Sequence, residues 1–304
     1  MKTVLCICTY RRPAGLRKLL ETLPQLAGTD GLEVVVSDND PGAEGLAVCE
    51  ALSAAGYPFP LHTVSATEPG ISAARNAACT RALQLEPRLL AFLDDDEWPE
   101  PQWLTELQRV RNACNVDVVG GPTRPVFPEG CAESSRQNAY YGADLALPDQ
   151  SLCQLQAGGN FLITSDALQA LAPEFFNHAF AHSGGEDLAF FMQLRQRGYS
   201  MAWAAHAIVH EPVPEDRLHD AWVQQRIVNI HNSRVRVMQL LQPGVGHSLV
   251  RGLKTIALGG QTLLASALSW LSPSWMERSR QLRWKLRGKV SAHLGHATIR
   301  NENY

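Results

Sequence analysis

The sequence predicts an α/β protein built on a Rossmann-like, mainly parallel sheet flanked by helices, with a helical, basic tail at its C-terminus. Over the first 120 residues, short apolar segments alternate with segments of helical spacing, as in repeated β-α-β units. The apolar segments do not alternate with polar residues, which is expected of strands covered on both faces. The last 61 residues hold nine Lys or Arg residues and two acids, which sets the tail apart.

Local signals predict the elements of the first part. Pro13 and Gly70 each precede a helical pattern, and the turn-forming run Asp38–Gly42 ends the second strand. The predicted strands are Thr3–Thr9, Leu32–Ser37, Pro60–Val64 and Leu89–Leu93. The predicted helices are Pro13–Leu26, Leu46–Ala55, Ile71–Leu85 and Trp103–Ala113.

The rest of the chain has a mixed pattern. We expect strands at Val116–Gly121, Gly158–Ile163 and Ala204–Val209, and helices at Leu188–Arg197 and Leu218–Leu241. Gln242, Pro243 and Gly244 end the long helix. The tail then continues with an apolar segment, Ile256–Leu271, and a basic segment, Glu277–Val290.

Composition excludes several classes of protein. Hydrophobic residues make up 45% of the 304 residues and charged residues 19%, so the chain can bury a core and is not disordered. The net charge of −3 argues against a nucleic-acid partner. The seven cysteines include no C-x-x-C pair, so we expect no disulfide framework and a reducing compartment. No apolar stretch is long enough to predict a membrane span.

Polar residues follow three predicted strands at the point where each strand ends. They are Thr9–Arg12, Asp38–Asp40 and Asp94–Asp96. Because ligands of open α/β sheets bind at the carboxyl ends of the strands, this edge is the predicted site.

The acidic run has a specific chemical meaning. Neighbouring carboxylates repel one another unless a cation neutralises them, and Mg²⁺ takes one or two carboxylates together with substrate phosphates. The i, i+2 spacing pairs Asp94 with Asp96 on one side, whereas a bent strand end would favour Asp95. A solvated acidic loop is the alternative interpretation.

Three further positions carry candidate chemistry. Asp38, at a strand end, suits a hydrogen bond to a base or ribose, with an Asx turn as the alternative. Glu186 and Asp187 follow the pair Gly184–Gly185 at a helix start; one carboxylate suits a general base, and the alternative is a helix cap. His210 follows a strand and is a candidate metal or diphosphate contact, with a structural turn as the alternative.

These motifs, in this order, resemble the inverting family 2 glycosyltransferases with the GT-A fold, of the bacterial exopolysaccharide and lipopolysaccharide type. The resemblance covers roughly the first 241 residues. The matching motifs are Thr9–Pro13, Ser37–Asp40, Pro69–Asn76, Phe92–Glu97, Gly158–Phe161 and Gly185–Asp187. It implies a nucleoside diphosphate sugar donor, with UDP as the expected nucleotide, and Mg²⁺ or Mn²⁺ as cofactor.

The resemblance also implies roles for single residues. Asp187 is the expected base, with Glu186 beside it, and the run Asp94–Asp96 is expected to hold the metal on the diphosphate. Within the run, Asp94 and Asp96 are the expected metal ligands, and His210 is added to them from its position after a strand. The expected donor-binding residues are Thr9, Tyr10, Arg11, Asp38, Asn39, Arg75, Asp94, Asp95 and Gly159. Residues 1–125 would form the nucleotide-sugar-binding half, 126–243 the acceptor-binding half and 244–304 the tail.

The tail suggests a location. Its basic segment interleaves cations with Leu282, Trp284 and Leu286, a composition typical of helices that lie on a membrane surface. The alternative is a helical hairpin that packs on the body of the protein. We therefore expect a cytoplasmic enzyme, peripheral at the inner face of the cell membrane, acting on a lipid-linked or other glycan acceptor. A non-catalytic nucleotide-sugar or glycan binding module is the alternative function.

Overall fold

A computed structural model describes residues 2–298; the end of the predicted tail, from Ile299 to Tyr304, lies outside the described residues. The strands are β1 (Thr3–Thr9), β2 (Leu32–Asp38), β3 (Leu61–Ser65), β4 (Leu89–Asp94), β5 (Trp98–Pro99), β6 (Val118–Gly120), β7 (Thr123–Val126), β8 (Phe161–Thr164), β9 (Met201–Trp203) and β10 (Val209–Pro212). The helices are α1 (Pro13–Thr22), α2 (Glu44–Ala54), α3 (Ile71–Leu83), α4 (Trp103–Cys114), α5 (Glu133–Arg136), α6 (Ser165–Gln169), α7 (Glu186–Gln196), α8 (Asp220–Leu241), α9 (Val245–Leu268) and α10 (Pro273–His293).

The main sheet has seven strands in the order β3-β2-β1-β4-β8-β6-β9. Strands β1 to β4 are parallel to their neighbours among themselves, and β8 runs antiparallel between β4 and β6. The predicted α/β class with a mainly parallel sheet is confirmed. A smaller sheet of three strands has the order β5-β10-β7.

Helices cover both faces of the main sheet, which explains its continuous apolar strands. On one face, Leu5 and Val34 pack with Leu16 of α1. On the other face, Val4 and Val35 belong to the core that α3 and α7 cover. Successive residues of one strand are thus buried on opposite faces. Because both faces are apolar, polar and apolar residues do not alternate along these strands.

The register of the parallel strands brings their polar ends level. Thr9 at the end of β1 lies opposite Asp38 at the end of β2. Cys8, one residue earlier, lies opposite Asp94 at the end of β4. The three polar clusters predicted from the sequence therefore lie side by side at one edge of the sheet.

The expected strand at Ala204–Val209 does not form. The Ala207 N–H turns back to the Ala204 carbonyl, and the buried Asn160 amide donates to the Ala207 carbonyl at 2.8 Å. This turn lets the chain leave the main sheet after β9 and enter the small sheet as β10. An apolar run alone does not reveal such a turn, because both of its flanks are strands.

The chain divides into two compact units, which we call the α/β unit and the helical unit. The α/β unit comprises the residues up to Ala181 together with Glu186–Val213. The helical unit comprises His182–Gly185 and, among the described residues, 214–298. It groups α8 with the tail helices, whereas the sequence analysis assigned α8 to the acceptor-binding half. Within residues 2–298, no helix combines the length and the apolar character needed to cross a membrane.

Candidate active site

A buried arginine joins three distant parts of the sequence at the carboxyl edge of the sheet. Arg75 of α3 is 5% exposed. Its Nη2 donates to Oδ1 of Asp94 at 3.2 Å. Its Nη1 lies 3.6 Å from Oε1 of Glu186 and forms an ion pair with Oδ1 of Asp187. The acidic run and the carboxylates at the start of α7 therefore share one guanidinium.

Loop contacts hold α3, and with it Arg75, in this position. The side-chain amide of Asn39 donates to the carbonyls of Ala66 and Glu68 at 2.8 and 2.6 Å. Its Oδ1 accepts the N–H of Gly70 at 2.9 Å. Gly70 has φ 109°, a conformation that favours glycine, and it directly precedes α3. Asn39, a predicted donor-binding residue, thus fixes the approach to α3.

Two glycines let the backbone approach the acidic side chains. The Gly158 N–H donates to Oδ2 of Asp187 at 3.1 Å, and a Cβ on Gly158 would lie 2.6 Å from the Asp187 Cγ. A Cβ on Gly159 would lie 3.0 Å from Oδ2 of Asp94 and 2.7 Å from Oε1 of Glu97. Neither position has room for a side chain, so the backbone itself forms part of the site.

Exposure alternates along the acidic run. The side chains of Asp94 and Asp96 are 43% and 22% exposed, whereas Asp95 and Glu97 are buried. This alternation agrees with the i, i+2 pairing and not with the bent strand end that would expose Asp95. Only Asp94 and Asp96 in this run are open to solvent.

Asp95 instead ties the first strand to the acidic run. It accepts the Thr9 hydroxyl at 2.7 Å and Nη1 of Arg12 at 3.2 Å, and the same Arg12 nitrogen donates to Asp96 at 2.7 Å. Burial raises the pKa of Asp95 to about 7, although Arg12 acts in the opposite direction. Thr9 and Asp95, both predicted to bind the donor, contact each other inside the protein. Arg12, which the sequence analysis did not select, is their cation.

We expect Asp95→Asn to change the pH dependence of stability. Because the folded protein binds the Asp95 proton more tightly than the unfolded chain does, this carboxyl stabilises the fold below about pH 4, near its unfolded pKa. That contribution is lost as the pH rises through about 7. The variant should therefore gain stability relative to the wild type between pH 4 and 7, by at most about 1.4 kcal/mol per pH unit. Urea unfolding at several pH values checks this, and a difference that stays constant with pH would contradict it.

Glu97 is a second residue that the sequence analysis did not select. Its Oε2 accepts the Asp94 N–H at 3.0 Å, and its Oε1 accepts the Thr123 hydroxyl at 3.2 Å. Burial, followed by repulsion from Asp94, raises the pKa of Glu97 well above its usual value. Glu97 thereby joins the end of β4 to β7. The available signal was its place as the fourth acid of the run.

The side chain of Asp38 accepts hydrogen bonds from backbone N–H groups. It is 1% exposed; Oδ2 accepts the N–H groups of Gly45 and Leu46 at 2.9 and 3.2 Å, and Oδ1 accepts that of Asp40 at 2.9 Å. Asp38 thus satisfies free N–H groups at the start of α2, close to the turn alternative. Its predicted contact with the donor stays a prediction.

We expect Asp38→Ala to destabilise the fold. The substitution leaves buried N–H groups at the start of α2 without an acceptor, which costs about 1–3 kcal/mol. Urea unfolding at neutral pH measures this, with Asp38→Asn as the milder control because it keeps one carbonyl oxygen. A loss as small for alanine as for asparagine would contradict the assignment.

Tyr10 and Arg11 form the outer part of the same edge. Arg11 has φ 55°, and its side chain is 65% exposed. Its Nε donates to Oδ1 of Asp40 at 3.3 Å, and its guanidinium carbon lies 4.9 Å from the centre of the Tyr10 ring. Non-glycine residues held at positive φ are often found at functional sites, and this arginine faces solvent.

His210 does not join the acidic run in a metal-binding group. Its Nε2 lies 3.0 Å from Oε1 of Glu100, and its ring stacks on Trp98 with centroids 5.8 Å apart. Nowhere in the described part of the chain do three or more His, Cys, Asp or Glu side chains form a group that could hold a metal ion. His210 is thus engaged by Glu100 in this structure, and the expected metal contacts of Asp94, Asp96 and His210 stay predictions.

The fold agrees with the GT-A fold of known glycosyltransferases. The chain belongs to glycosyl transferase family 2, whose model matches residues 4–172. It is 34% identical over 227 residues to the succinoglycan biosynthesis protein ExoM of Rhizobium meliloti (strain 1021), covering 72% of this chain and 70% of that protein. It is 26% identical over 209 residues to the glycosyltransferase AglE of Haloferax volcanii, covering 68% of this chain and 65% of that protein.

Solved structures share the fold. The mannosyltransferase PcManGT from Pyrobaculum calidifontis, in complex with GDP-Man and Mn²⁺, superposes with a TM-score of 0.64 at 16% identity, over 97% of this chain and 87% of that one. Residues 1–349 of S. aureus TarS, in complex with UDP-GlcNAc, give 0.54 at 14% identity, over 99% and 98% of the two chains. At such identities the likeness concerns the fold, and the predicted GT-A fold is confirmed.

Proposed function

We propose that the protein transfers a sugar from a nucleoside diphosphate donor, with UDP as the nucleotide, to a glycan hydroxyl with inversion at the anomeric carbon. One observation carries the proposal: Arg75 holds the exposed end of the acidic run beside Glu186 and Asp187. Direct displacement needs positive charge to stabilise the leaving diphosphate, which a cation held by the acidic run would supply. It also needs a base for the acceptor hydroxyl. Both kinds of group meet around this one guanidinium.

Asp187 is the proposed base. It forms an ion pair with Arg75, and a carboxylate at this position can accept a proton. The Gly158 N–H fixes the orientation of the carboxylate through Oδ2. Glu186 is only 2% exposed, so its proposed role is to position Arg75. The acceptor hydroxyl would give its proton to Asp187 as its oxygen attacks the sugar, and a single base on that face gives inversion.

The acidic run fits a divalent cation whose remaining ligands come from the donor. Asp94 and Asp96 are the accessible carboxylates, and the missing side chain at Gly159 leaves space beside Oδ2 of Asp94. Mg²⁺ commonly uses one or two carboxylates together with phosphate oxygens. Bound there, Mg²⁺ or Mn²⁺ would stabilise the charge that develops on the departing diphosphate. His210 remains a predicted further contact.

Two further observations support the proposed class of acceptor and the proposed location of the enzyme. The related protein ExoM is named for succinoglycan biosynthesis, which favours a polysaccharide or lipid-linked acceptor of the cell envelope. The basic composition of the tail favours a cytoplasmic enzyme that is peripheral at the inner face of the membrane.

The test of the function is release of nucleoside diphosphate from UDP-, GDP- and dTDP-sugars, with Mg²⁺ or Mn²⁺ and with chelator, with and without a crude lipid acceptor. Metal-dependent release of one diphosphate, raised by the acceptor, is the expected result. Donor binding without release under every condition would favour the binding module. Absence of donor binding would contradict the assigned site.

We expect Asp94→Asn to weaken donor binding only when metal is present. The amide cannot replace a carboxylate that shares a divalent cation with the diphosphate, so donor affinity in Mn²⁺ should fall at least tenfold, or about 1.4 kcal/mol. In chelator the variant and the wild type should bind the donor equally. Calorimetric titration measures both, with the exposed Asp30→Asn as the control. An equal loss with and without metal would contradict a metal role for Asp94.

A further inference from the structure

Helix α9 of the helical unit presents its apolar residues outward. Only Thr255, Thr262 and Ala265 of its 24 residues are buried. The residues 249, 253, 256, 260, 263 and 267 recur at helical spacing and are all exposed, with Ile256 72% and Leu263 75% accessible. The larger apolar side chains therefore form one stripe, and the helix packs through small and hydroxyl residues. In water this arrangement leaves the driving force of burial unused.

The hydroxyls of the inward-facing threonines form hydrogen bonds within α9. Thr255 donates to the Arg251 carbonyl and Thr262 to the Leu258 carbonyl, at 3.0 and 2.7 Å. The inward face is thus complete as it stands. Rotating α9 to bury its stripe would expose this face and break the Thr255 contact with His293 of α10 at 3.2 Å.

The turn from α9 to α10 extends the apolar surface. Trp270 is 81% exposed and Leu271 53%, and Met276 in the first turn of α10 is 57% exposed. An exposed tryptophan beside aliphatic residues is typical of the interface between lipid headgroups and acyl chains.

A cluster of cations lies in the same unit. Burial and the charges of Arg234, Lys254 and Lys285 lower the pKa of Lys289. Burial, together with Lys285, Lys289 and Arg234, lowers the pKa of the neighbouring His231 to about 4. These cations come from α8, α9 and α10, which meet where the Asn232 amide donates to the Gly288 carbonyl at 3.4 Å and where Thr255 contacts His293. We call Arg234, Lys254, Lys285 and Lys289 the cationic cluster.

The cationic cluster has no acid to neutralise it. Across residues 2–298, none of its four members has an acidic partner at salt-bridge distance, whereas Arg280 of α10 pairs with Asp220 and Glu277. Helices α9 and α10 together contain eight Lys or Arg residues and one acid. Positive charge without acidic partners on these helices favours anions from outside the chain.

We propose that the helical unit binds an anionic phospholipid bilayer, with the outward stripe of α9 inserted at the headgroup boundary and the cationic cluster on the lipid phosphates. This surface rests on the peripheral location proposed above and assigns it to particular residues. An interfacial helix needs an apolar stripe and nearby cations, and each juxtamembrane Lys or Arg adds to binding through the negative surface potential. The stripe lies on α9 and the cationic cluster on α8, α9 and α10, so the helical unit offers both features.

A second copy of the chain fits the same surface less well. A two-fold contact through the α9 stripe would place identical surfaces face to face. Because α9 and α10 together hold eight Lys or Arg residues and one acid, two copies would also approach with the same positive charge, which opposes such a contact. Anionic lipid satisfies the stripe and the cations together.

Vesicle sedimentation with the full chain and without donor tests the surface. We expect binding to phosphatidylcholine vesicles that contain phosphatidylglycerol, little binding to pure phosphatidylcholine, and weaker binding at high salt. Lys285→Gln with Lys289→Gln should weaken vesicle binding by roughly 30-fold, because each lysine near an anionic membrane contributes about 1 kcal/mol to binding. Ile256→Ser with Leu263→Ser should weaken it by roughly tenfold or more. Ile256 and Leu263 are exposed, and Lys285 and Lys289 form no ion pair among the described residues, so these substitutions should leave the fold intact.

Matched substitutions in the α/β unit serve as controls. Leu152, 73% exposed, is changed to Ser, and the exposed Arg88 to Gln; both variants should bind vesicles as the wild type does. Failure of the full chain to bind anionic vesicles at low salt would overturn the proposal, as would binding that no substitution changes. A dimer that the Ser variants dissociate, without vesicle binding, would assign the stripe to a second copy and also overturn it.

The same samples separate this surface from the transferase. Vesicle binding is measured without donor, and diphosphate release is measured without vesicles. Loss of the first alone would overturn the membrane surface and leave the proposed reaction. Loss of the second alone would overturn the reaction and leave the membrane surface supported.

Discussion

Asp187→Asn should lower the rate of sugar transfer by about 10²- to 10⁴-fold, the range that a positioned general base contributes. The asparagine keeps a carbonyl oxygen for the Gly158 N–H, so the backbone at this point retains its partner. Arg75 keeps Asp94 and Glu186 and therefore stays neutralised. What the substitution removes is the ability to accept the proton of the acceptor hydroxyl.

The measurement must separate chemistry from binding. We expect the turnover number to fall while donor affinity, titrated with Mn²⁺, stays unchanged, because a base that acts on the acceptor contributes to the transition state and not to donor binding. Asp30→Asn, an exposed acid of the same unit, is the control for the loss of one charge. A variant that keeps a tenth or more of the rate would exclude Asp187 as the base and move attention to Glu186 or to the binding module.

The fold could be predicted from the sequence because its strands are apolar, short and followed by polar residues. The edge where Thr9, Asp38 and Asp94 meet follows from the parallel arrangement alone. The small sheet was missed because β5 has two residues and β10 four. Elements this short carry too few residues for a period to appear.

The contacts inside the site were less accessible to sequence reasoning. Strand ends identify Asp38 and Asp95 as near the ligand edge, yet both are buried and accept hydrogen bonds from the protein itself. A one-dimensional pattern gives position along a strand and not the face on which a carboxylate finds its donors. Arg12 and Glu97 were missed for the same reason, because their importance lies in partners that are up to 84 residues away.

The proposed membrane surface illustrates how much can be predicted from composition. The basic stretch and the apolar segment predicted a lipid contact, but composition did not separate it from a packed hairpin. In the structure, α9 buries Thr255, Thr262 and Ala265 and contacts His293 of α10 through Thr255, while its apolar stripe faces outward; the lipid contact stays a prediction. Arg234 of α8 joins the cationic cluster although it precedes the predicted tail.

Arg75→Met should lower the free energy of unfolding of the α/β unit by about 3–5 kcal/mol, the usual loss when one partner of a buried ion pair is removed. Three carboxylates share this cation, and Glu186 is almost fully buried. Methionine fills part of the space but leaves these acids without a cation, so they repel one another.

Urea unfolding of Arg75→Met, Arg75→Lys and the double variant Arg75→Met with Glu186→Gln tests the arrangement. Lysine keeps the charge but cannot reach Asp94 through one nitrogen and the α7 carboxylates through another, so its loss should be intermediate. Glu186→Gln removes the most buried acid, so the double variant should recover part of the stability lost in Arg75→Met. If methionine costs less than about 1 kcal/mol, the value typical of an exposed ion pair, Arg75 does not hold these carboxylates together. The proposed coupling between the acidic run and the base would then fail as well.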